Sequence, residues 1–89
     1  MTSRFLEVSY RSGQPFAAYF HLPRRDGDRA ERSVKAGDGL VVDLAADGRA
    51  IGIEITSPSR FDVEKLNRVL AQFGSAPVTR ADVAPICAA

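Results

Sequence analysis

The sequence predicts an α+β fold: an antiparallel meander of about five short strands with one C-terminal helix packed on one face. Three observations support this class. The chain has 89 residues, enough for one domain. Its first two thirds contain short alternating apolar segments separated by turn residues, and its last third contains one segment with helical spacing of apolar residues. We expect residues 1–74 to form the domain and residues 75–89 to form a tail that is at most partly ordered.

The first two predicted strands cover residues 4–10 and 16–22 and are joined by a turn at Gly13. Alternation along the second strand divides its side chains between two faces of the sheet. The core face receives Phe16, Ala18, Phe20 and Leu22. The opposite face, here called the second face, receives Ala17, Tyr19 and His21.

A weaker third strand is predicted over residues 31–36. The sequence Gly37-Asp38-Gly39 that follows suits a three-residue hairpin loop with its last glycine in the left-handed conformation. Such a loop predicts these opposed pairs: Ala36 with Leu40, and Val34 with Val42.

A second hairpin is predicted between strands 40–44 and 49–56, because Asp47-Gly48 between alternating apolar residues favours a tight turn. A two-residue turn there brings all the large aliphatic residues to the core face. The predicted pairs are Leu44 with Ile51, Val42 with Ile53, and Leu40 with Ile55. The same register sets Gly52 opposite Asp43 and leaves space on the second face.

Residues 62–73 are predicted to form the helix, with Asp62 as the N-cap and Gly74 as the C-terminal stop. Apolar residues recur at helical spacing and form a stripe that should lie on the aliphatic face of the sheet. The stripe consists of Val63, Leu66, Val69, Leu70 and Phe73.

Composition excludes several functional classes. Twelve basic and eleven acidic residues leave a net charge of +1, so no overall field favours nucleic acid or an anionic membrane. A single cysteine, Cys87, permits no internal disulfide. The sequence has no signal-peptide pattern, no apolar run of about 18 residues and no glycine-rich nucleotide fingerprint. We therefore expect a cytoplasmic protein without a cofactor and without membrane contact.

The second face carries the candidate polar residues Tyr19, His21, Asp43 and Glu54. A histidine near two carboxylates has the chemistry of a general base or a metal ligand. A solvated sheet face gives the same pattern, however, and these residues have no local spacing motif. We therefore assign no catalytic residue and no metal ligand. A small enzyme or metal-binding protein that uses His21, Asp43 and Glu54 stays as an alternative.

A candidate basic loop follows the second strand and contains Arg24, Arg25, Arg29 and Arg32. Such a cluster contacts phosphates in nucleic-acid-binding proteins. Neighbouring acidic residues dilute its charge here, and no exposed aromatic residues are interleaved to stack on bases. We do not expect nucleic acid as a partner, and a weak nucleic-acid binder that uses this loop is the second alternative.

The hairpin sequence also resembles a known family. A small bacterial family, domain of unknown function 2283, has a V-V-D strand, a D-G turn and a G-I-E-I strand, and this chain is similar to it over residues 41–55. Tyr10 and the A-A-Y-F-H-L sequence of residues 17–22 resemble the other stretch of the family, a Tyr followed by A-L-Y-I-x-L. The resemblance covers residues 10–56.

The resemblance implies a small β-rich fold with no established activity. Relatives look like neighbours of small ribonuclease-toxin-like genes, which implies a protein partner of that type. Two positions depart from the family pattern. Phe16 stands where the family usually has an acidic residue, and Ala45 replaces the first Asp of its D-x-D-G turn. Any chemistry carried by those two carboxylates is therefore not expected in this chain.

Together these observations favour an uncharacterised small protein that acts as a non-catalytic protein-interaction module, with a small toxin-like protein as one candidate partner. They also predict a homodimer, because an open sheet leaves unpaired edges and a small domain gains stability by burying more surface. Small and apolar residues interrupt the polar ones on the second face: Ala17, Val41, Ala50 and Gly52. In the competing account, the tail folds back over this face with Val78, Val83 and Ile86.

Overall fold

Five β-strands, one α-helix and two 3-10 segments make up residues 3–87, the part of the chain that the computed structural model describes. The strands are β1 (Phe5–Arg11), β2 (Gln14–His21), β3 (Arg32–Gly37), β4 (Leu40–Leu44) and β5 (Ala50–Ile55). The helix is α1 (Val63–Gln72), and the 3-10 segments are Pro58–Arg60 and Ala81–Ile86. All strand pairs are antiparallel and α1 packs on one face, so the predicted α+β class is confirmed.

The strands lie in the order β1-β2-β5-β4-β3, which departs from a simple meander at one place. β2 pairs with β5 instead of β3, so the chain between β2 and β3 crosses to the far edge of the sheet. Burial explains this order. β5 has no exposed residue, whereas every residue of β3 except Ala36 is exposed. The sheet buries the most apolar surface when β5 lies in its centre and the polar β3 lies at its edge.

The register of β4 against β5 is confirmed away from the turn. The pairs that match the prediction are Val42 with Ile53, Leu40 with Ile55, and Asp43 with Gly52. The turn residue Gly48 has a φ of +90°, the left-handed conformation that favours glycine. The predicted chemistry of the turn and the predicted core pairs therefore both hold.

The turn itself is one residue longer than predicted. The amide of Ala45 donates to the carbonyl oxygen of Arg49 across a three-residue loop, at 2.9 Å. A β-bulge in the next pair absorbs the extra residue, so Leu44 pairs with Ala50 and not with the predicted Ile51. Ala50, predicted on the second face, consequently packs against the core.

The β3–β4 hairpin differs from the prediction in the opposite sense, because its turn is one residue shorter than predicted. Gly37, and not the predicted Ala36, pairs with Leu40 across a two-residue turn that ends in a glycine with φ +72°. A bulge at Ala36 then restores the predicted pair of Val34 with Val42. In both hairpins the burial of one apolar face decides the register, because a slip of one residue would turn that face to solvent.

The turn end of the β1–β2 hairpin also differs from the prediction. The register shifts before Tyr10, and the predicted core residue Phe16 is 45% exposed. The guanidinium carbon of Arg11 lies 4.6 Å from the centre of the Phe16 ring. Leu6 and Val8, further from the turn, pack against the core.

The core lies between the sheet and a layer formed by α1 and the tail. Asp62 caps the helix as predicted, since its Oδ1 accepts a hydrogen bond from the amide of Glu64 at 2.8 Å. Helix and tail residues are buried in one cluster with the sheet: Leu66, Val69, Leu70, Val78, Val83 and Ile86. Within residues 3–87 the account in which the tail covers the second face is therefore wrong, and residues 88 and 89 lie outside the described residues.

None of the helices in this part of the chain is long and apolar enough to cross a membrane.

Two side chains hold the tail in place. Asn67 of α1 donates from Nδ2 to the carbonyl oxygen of Val78 at 3.0 Å and accepts at Oδ1 from the Val78 amide at 2.8 Å. This pair of bonds satisfies both backbone groups of Val78, as a neighbouring strand would do. Immediately before β1, the guanidinium of Arg4 donates to the carbonyl oxygens of Ala76 and Pro77.

Asn67→Ala is expected to loosen the tail. The change removes both hydrogen-bond partners of the Val78 backbone and lowers the free energy of unfolding by about 1–2 kcal/mol. Urea unfolding measures this loss, and limited proteolysis measures cleavage C-terminal to Gly74. Gln72→Ala, at an exposed position of the same helix, is the matched control. Equal stability and equal cleavage of the two variants would show that Asn67 does not hold the tail.

Candidate functional site

The sheet register arranges the second face as two adjacent rows of side chains that run across all five strands. From β1 to β3, the Gly52 row contains Phe5, His21, Gly52, Asp43 and Ser33. In the same direction, the Tyr19 row contains Glu7, Tyr19, Glu54, Val41 and Lys35. The four candidate polar residues therefore lie close together on one face, as the alternation predicts.

Tyr19 leans out of its own row and crosses Gly52 to reach Asp43. Its Oη donates a hydrogen bond to Oδ2 of Asp43 at 2.8 Å. A Cβ atom on Gly52 would overlap the ring of Tyr19. Gly52 thus provides the space that the register predicted, and the ring of Tyr19 fills it.

Asp43 is the buried carboxylate of this face, with 8% of its surface exposed. Ser33 donates from Oγ to Oδ1 of Asp43 at 2.6 Å, while Tyr19 donates to Oδ2. Each oxygen therefore has a hydrogen-bond donor, which offsets much of the free-energy cost of burying the group. Arg24 donates from its terminal nitrogen to Oη of Tyr19 at 3.2 Å and extends the network to the loop after β2.

The network also shifts two pKa values. Burial, with the hydrogen bond and charge of Asp43 in support, raises the pKa of Tyr19 to about 12. The Tyr19 hydroxyl is therefore protonated at neutral pH and stays a donor. Hydrogen bonding to Asp43, followed by burial and the like charge of Asp43, raises the pKa of Glu54. The Glu54 carboxyl group thus holds a proton to a higher pH than an isolated glutamate does.

His21 is paired with Glu7 and not with Asp43 or Glu54, the carboxylates with which the sequence pattern grouped it. Its Nε2 lies 2.8 Å from Oε1 of Glu7, its ring stacks on Phe5 at 4.2 Å between centres, and Tyr19 meets it edge-on at 4.6 Å. Tyr19 lies over Gly52, which separates His21 from Asp43 along the row. No group of three His, Cys, Asp or Glu residues suited to a metal ion occurs among residues 3–87.

The lean of Tyr19 leaves an open depression of about 320 Å³ in its own row. Glu7 and Glu54 flank this depression, and Ser9 and Ala17 line it. Small-molecule sites of comparable volume enclose most of the ligand surface. This depression is open to solvent, so its shape suits contact with another surface better than enclosure of a substrate.

The four arginines of the candidate basic loop have different surroundings. Arg24 belongs to the network of the second face through Tyr19. The remaining three are exposed: Arg25, Arg29 and Arg32. Arg29 pairs with Glu31 at 3.3 Å, which offsets its charge.

Arg49 holds this loop against the β4–β5 turn. Its two terminal nitrogens donate to the carboxylate of Asp28 at 3.0 and 2.8 Å, and its Nε donates to Asp47 at 2.7 Å. The hydrogen bonds from Arg49 lower the pKa of both carboxyl groups. Asp28 therefore helps to hold the crossing connection from β2 to β3 against the β4–β5 turn.

Glu7 and Ser33 belong to the face but were not among the candidate residues. Ser33 could have been found, because the predicted pair of Val34 with Val42 implies that Ser33 lies opposite Asp43. Glu7 could not, because its place beside Tyr19 depends on the β1–β2 register.

Comparison with protein families gives one match. Residues 17–58 match the model of a family described as protein of unknown function (DUF2283). The match confirms the predicted resemblance over a segment that is a little under half of the chain. It includes Tyr19, His21, Asp43 and Glu54, and it leaves out β1, α1 and the tail. Comparisons with curated proteins and with solved structures give no match.

Tyr19→Phe is expected to lower the free energy of unfolding by about 1–3 kcal/mol, because it leaves Oδ2 of the buried Asp43 without its donor. Tyr10→Phe, which removes a hydroxyl from a residue that is 55% exposed, is the matched control. Urea unfolding of both variants measures the difference. Equal stability would contradict a structural role for the bond between Tyr19 and Asp43.

Glu54→Gln is expected to stabilise the protein more at neutral pH than at acidic pH. A raised pKa means that the folded state disfavours the charged carboxylate. This penalty is absent below the ordinary pKa of 4.5 and complete above the raised value. The stability gain of the variant in urea unfolding should therefore grow as the pH rises above the ordinary pKa of 4.5. Glu64→Gln on α1 is the control, and a gain that does not change with pH would contradict the raised pKa.

Proposed function

We propose that this chain, whose central segment matches a family of unknown function, is a non-catalytic protein-interaction module. Its partner is a second copy of the same chain, and the second face is the contact surface. This proposal rests on the observation that α1 and the tail cover only one face of the sheet. The buried residues of α1 and of the tail all join the core cluster, which leaves the second face without a covering layer among residues 3–87.

The character of the second face supports binding over catalysis. Both oxygens of Asp43 accept hydrogen bonds from neighbouring side chains, and His21 is paired with Glu7. These groups hold one another in place and leave no pair of an activated nucleophile and a base. Phe5, 48% exposed, and the half-buried Tyr19 add aromatic surface of the kind enriched at protein interfaces.

Charge supports a second copy as the partner. Along the Tyr19 row, Glu7 lies at the β1 edge, Glu54 lies on the central strand β5 and Lys35 lies at the β3 edge. A surface with an acidic group at one end and a basic group at the other is complementary at its two ends to a reversed copy of itself. A closed twofold dimer satisfies this complementarity on both sides at once.

The size of the face sets the expected strength of the contact. Five strands spaced by about 4.8 Å, with about six residues each, give a surface of about 24 by 20 Å. A contact over this surface buries about 500 Å² of each partner, which lies at the low end of specific interfaces. We therefore expect a dimer that forms at micromolar concentration.

Val41→Arg tests the proposal by placing a charge within the second face. Light scattering at micromolar concentration is expected to give about twice the chain mass of 9.6 kDa for the unaltered protein, and the chain mass for Val41→Arg. Val34→Arg is the matched control on the opposite face of the neighbouring strand, where Val34 is 37% exposed, and it is expected to stay dimeric. Circular dichroism verifies that both variants fold.

Two outcomes would overturn a second copy as the partner. One is a monomer for the unaltered protein throughout the micromolar range. The other is capture of a different protein, such as a small toxin-like protein, by a monomer whose binding is lost in Val41→Arg and kept in Val34→Arg. The second outcome would retain the second face as the contact surface and replace its occupant.

A further inference from the structure

We infer that the two copies are related by a twofold axis that runs parallel to the strands and passes over β5. In this arrangement β1 of one copy lies over β3 of the other, and the two copies of β5 face each other. The inference rests on the proposed dimer through the second face and adds the geometry of that dimer. The geometry determines which residues of one copy face which residues of the other.

The position of the axis follows from the strand order. β5 is the third of five strands in the sheet, so an axis along β5 superposes the whole of one second face on the other. An axis displaced toward either edge would leave one or two strands of each copy without a counterpart. Two twisted sheets that pack with nearly aligned strands are a common arrangement in proteins, at a separation of about 10 Å.

The direction of the axis follows from charge. An axis across the strands would set each strand over its own copy. If that axis lay over the Tyr19 row, Glu7 would meet Glu7 and Lys35 would meet Lys35, and if it lay between the two rows, neither charge would meet an opposite charge. An axis along the strands sets Glu7 of each copy over Lys35 of the other. Like charges in direct opposition are strongly unfavourable at an interface, and opposite charges select the partner and its orientation. The charges of the second face therefore favour an axis along the strands.

The Gly52 row gives a second complementary pair under the same operation. His21 and Asp43 lie on either side of Gly52, in β2 and β4, and β2 of one copy faces β4 of the other. The His21 edge of each copy therefore meets the Asp43 edge of its partner. The histidine and the carboxylate that Tyr19 separates within one chain are thus brought together between two chains.

The centre of the interface carries the aromatic contact. Tyr19 lies over Gly52 on the central strand, so the Tyr19 rings of the two copies meet near the axis. Aromatic pairs at the centre of an interface contribute a large share of binding energy. The two Glu54 carboxyl groups also face each other there and are the one like-charged pair of the two rows that this axis opposes. The open depression beside each Tyr19 leaves room for water to hydrate them.

Charge reversal tests the axis directly. Glu7→Lys and Lys35→Glu are each expected to weaken self-association about tenfold or more, because each sets like charges against each other twice in the dimer. The double variant, Glu7→Lys with Lys35→Glu, restores both pairs and should recover the affinity of the unaltered protein to within about threefold. An equimolar mixture of the two single variants should form mixed dimers in preference to either homodimer. Analytical ultracentrifugation measures the affinities, and native mass spectrometry counts the mixed dimers.

Glu64→Lys and Arg68→Glu are the matched controls, because they reverse exposed charges on α1, which packs on the core face. Both should leave the dimer unchanged. Failure of the double variant to recover affinity, or a statistical mixture of dimers, would overturn the axis. If Val41→Arg still abolishes the dimer in that case, the second face remains the contact surface and only the geometry is wrong. A monomeric unaltered protein would overturn the proposed dimer and this inference together.

Discussion

The pairing of β2 with β5 is the contact on which both faces of the sheet depend. It joins the local β1–β2 hairpin to the β3–β4–β5 unit and sets Phe20 beside Ile53 in the core. On the second face the same pairing sets Tyr19 beside Glu54. Without it the chain would consist of a two-stranded and a three-stranded unit, and an isolated hairpin is only marginally stable in water. The core and the polar network therefore form together.

The polar network of the second face links the fold to the proposed contact. A buried carboxylate such as Asp43 is tolerated only with hydrogen-bond donors, and here Tyr19 and Ser33 supply them. The hydroxyl of Tyr19 donates to Asp43, and this bond holds the Tyr19 ring in one orientation over Gly52. A side chain that is already ordered loses less entropy when a partner binds. The hydrogen bond between Tyr19 and Asp43 thus stabilises the monomer and also orders the surface that is proposed to bind.

Much of the fold follows from local sequence patterns, whereas the site depends on contacts between distant residues. Alternation and turn glycines predict the core pair of Val42 with Ile53, and the N-cap of α1 at Asp62 is predicted by residue type alone. The strand order is not encoded locally, because the crossing connection, β3 and β4 all separate β2 from β5 along the chain. The bond from Tyr19 to Asp43 depends on that order, so the sequence places both residues on one face without predicting their contact.

The paired turns and bulges of the sheet also bear on how chain length can vary among related proteins. In each of the two hairpins that contain β4, the length of the turn differs by one residue from the predicted length, and a bulge restores the predicted register of the strands. Deletion of one residue from the 46–48 loop would leave a two-residue turn between Ala45 and Arg49, and the bulge at Ile51 would stay in place. The pair of Val42 with Ile53 would be unchanged. Insertions and deletions at these turns are therefore absorbed within one hairpin, and the neighbours of every residue on the second face are preserved.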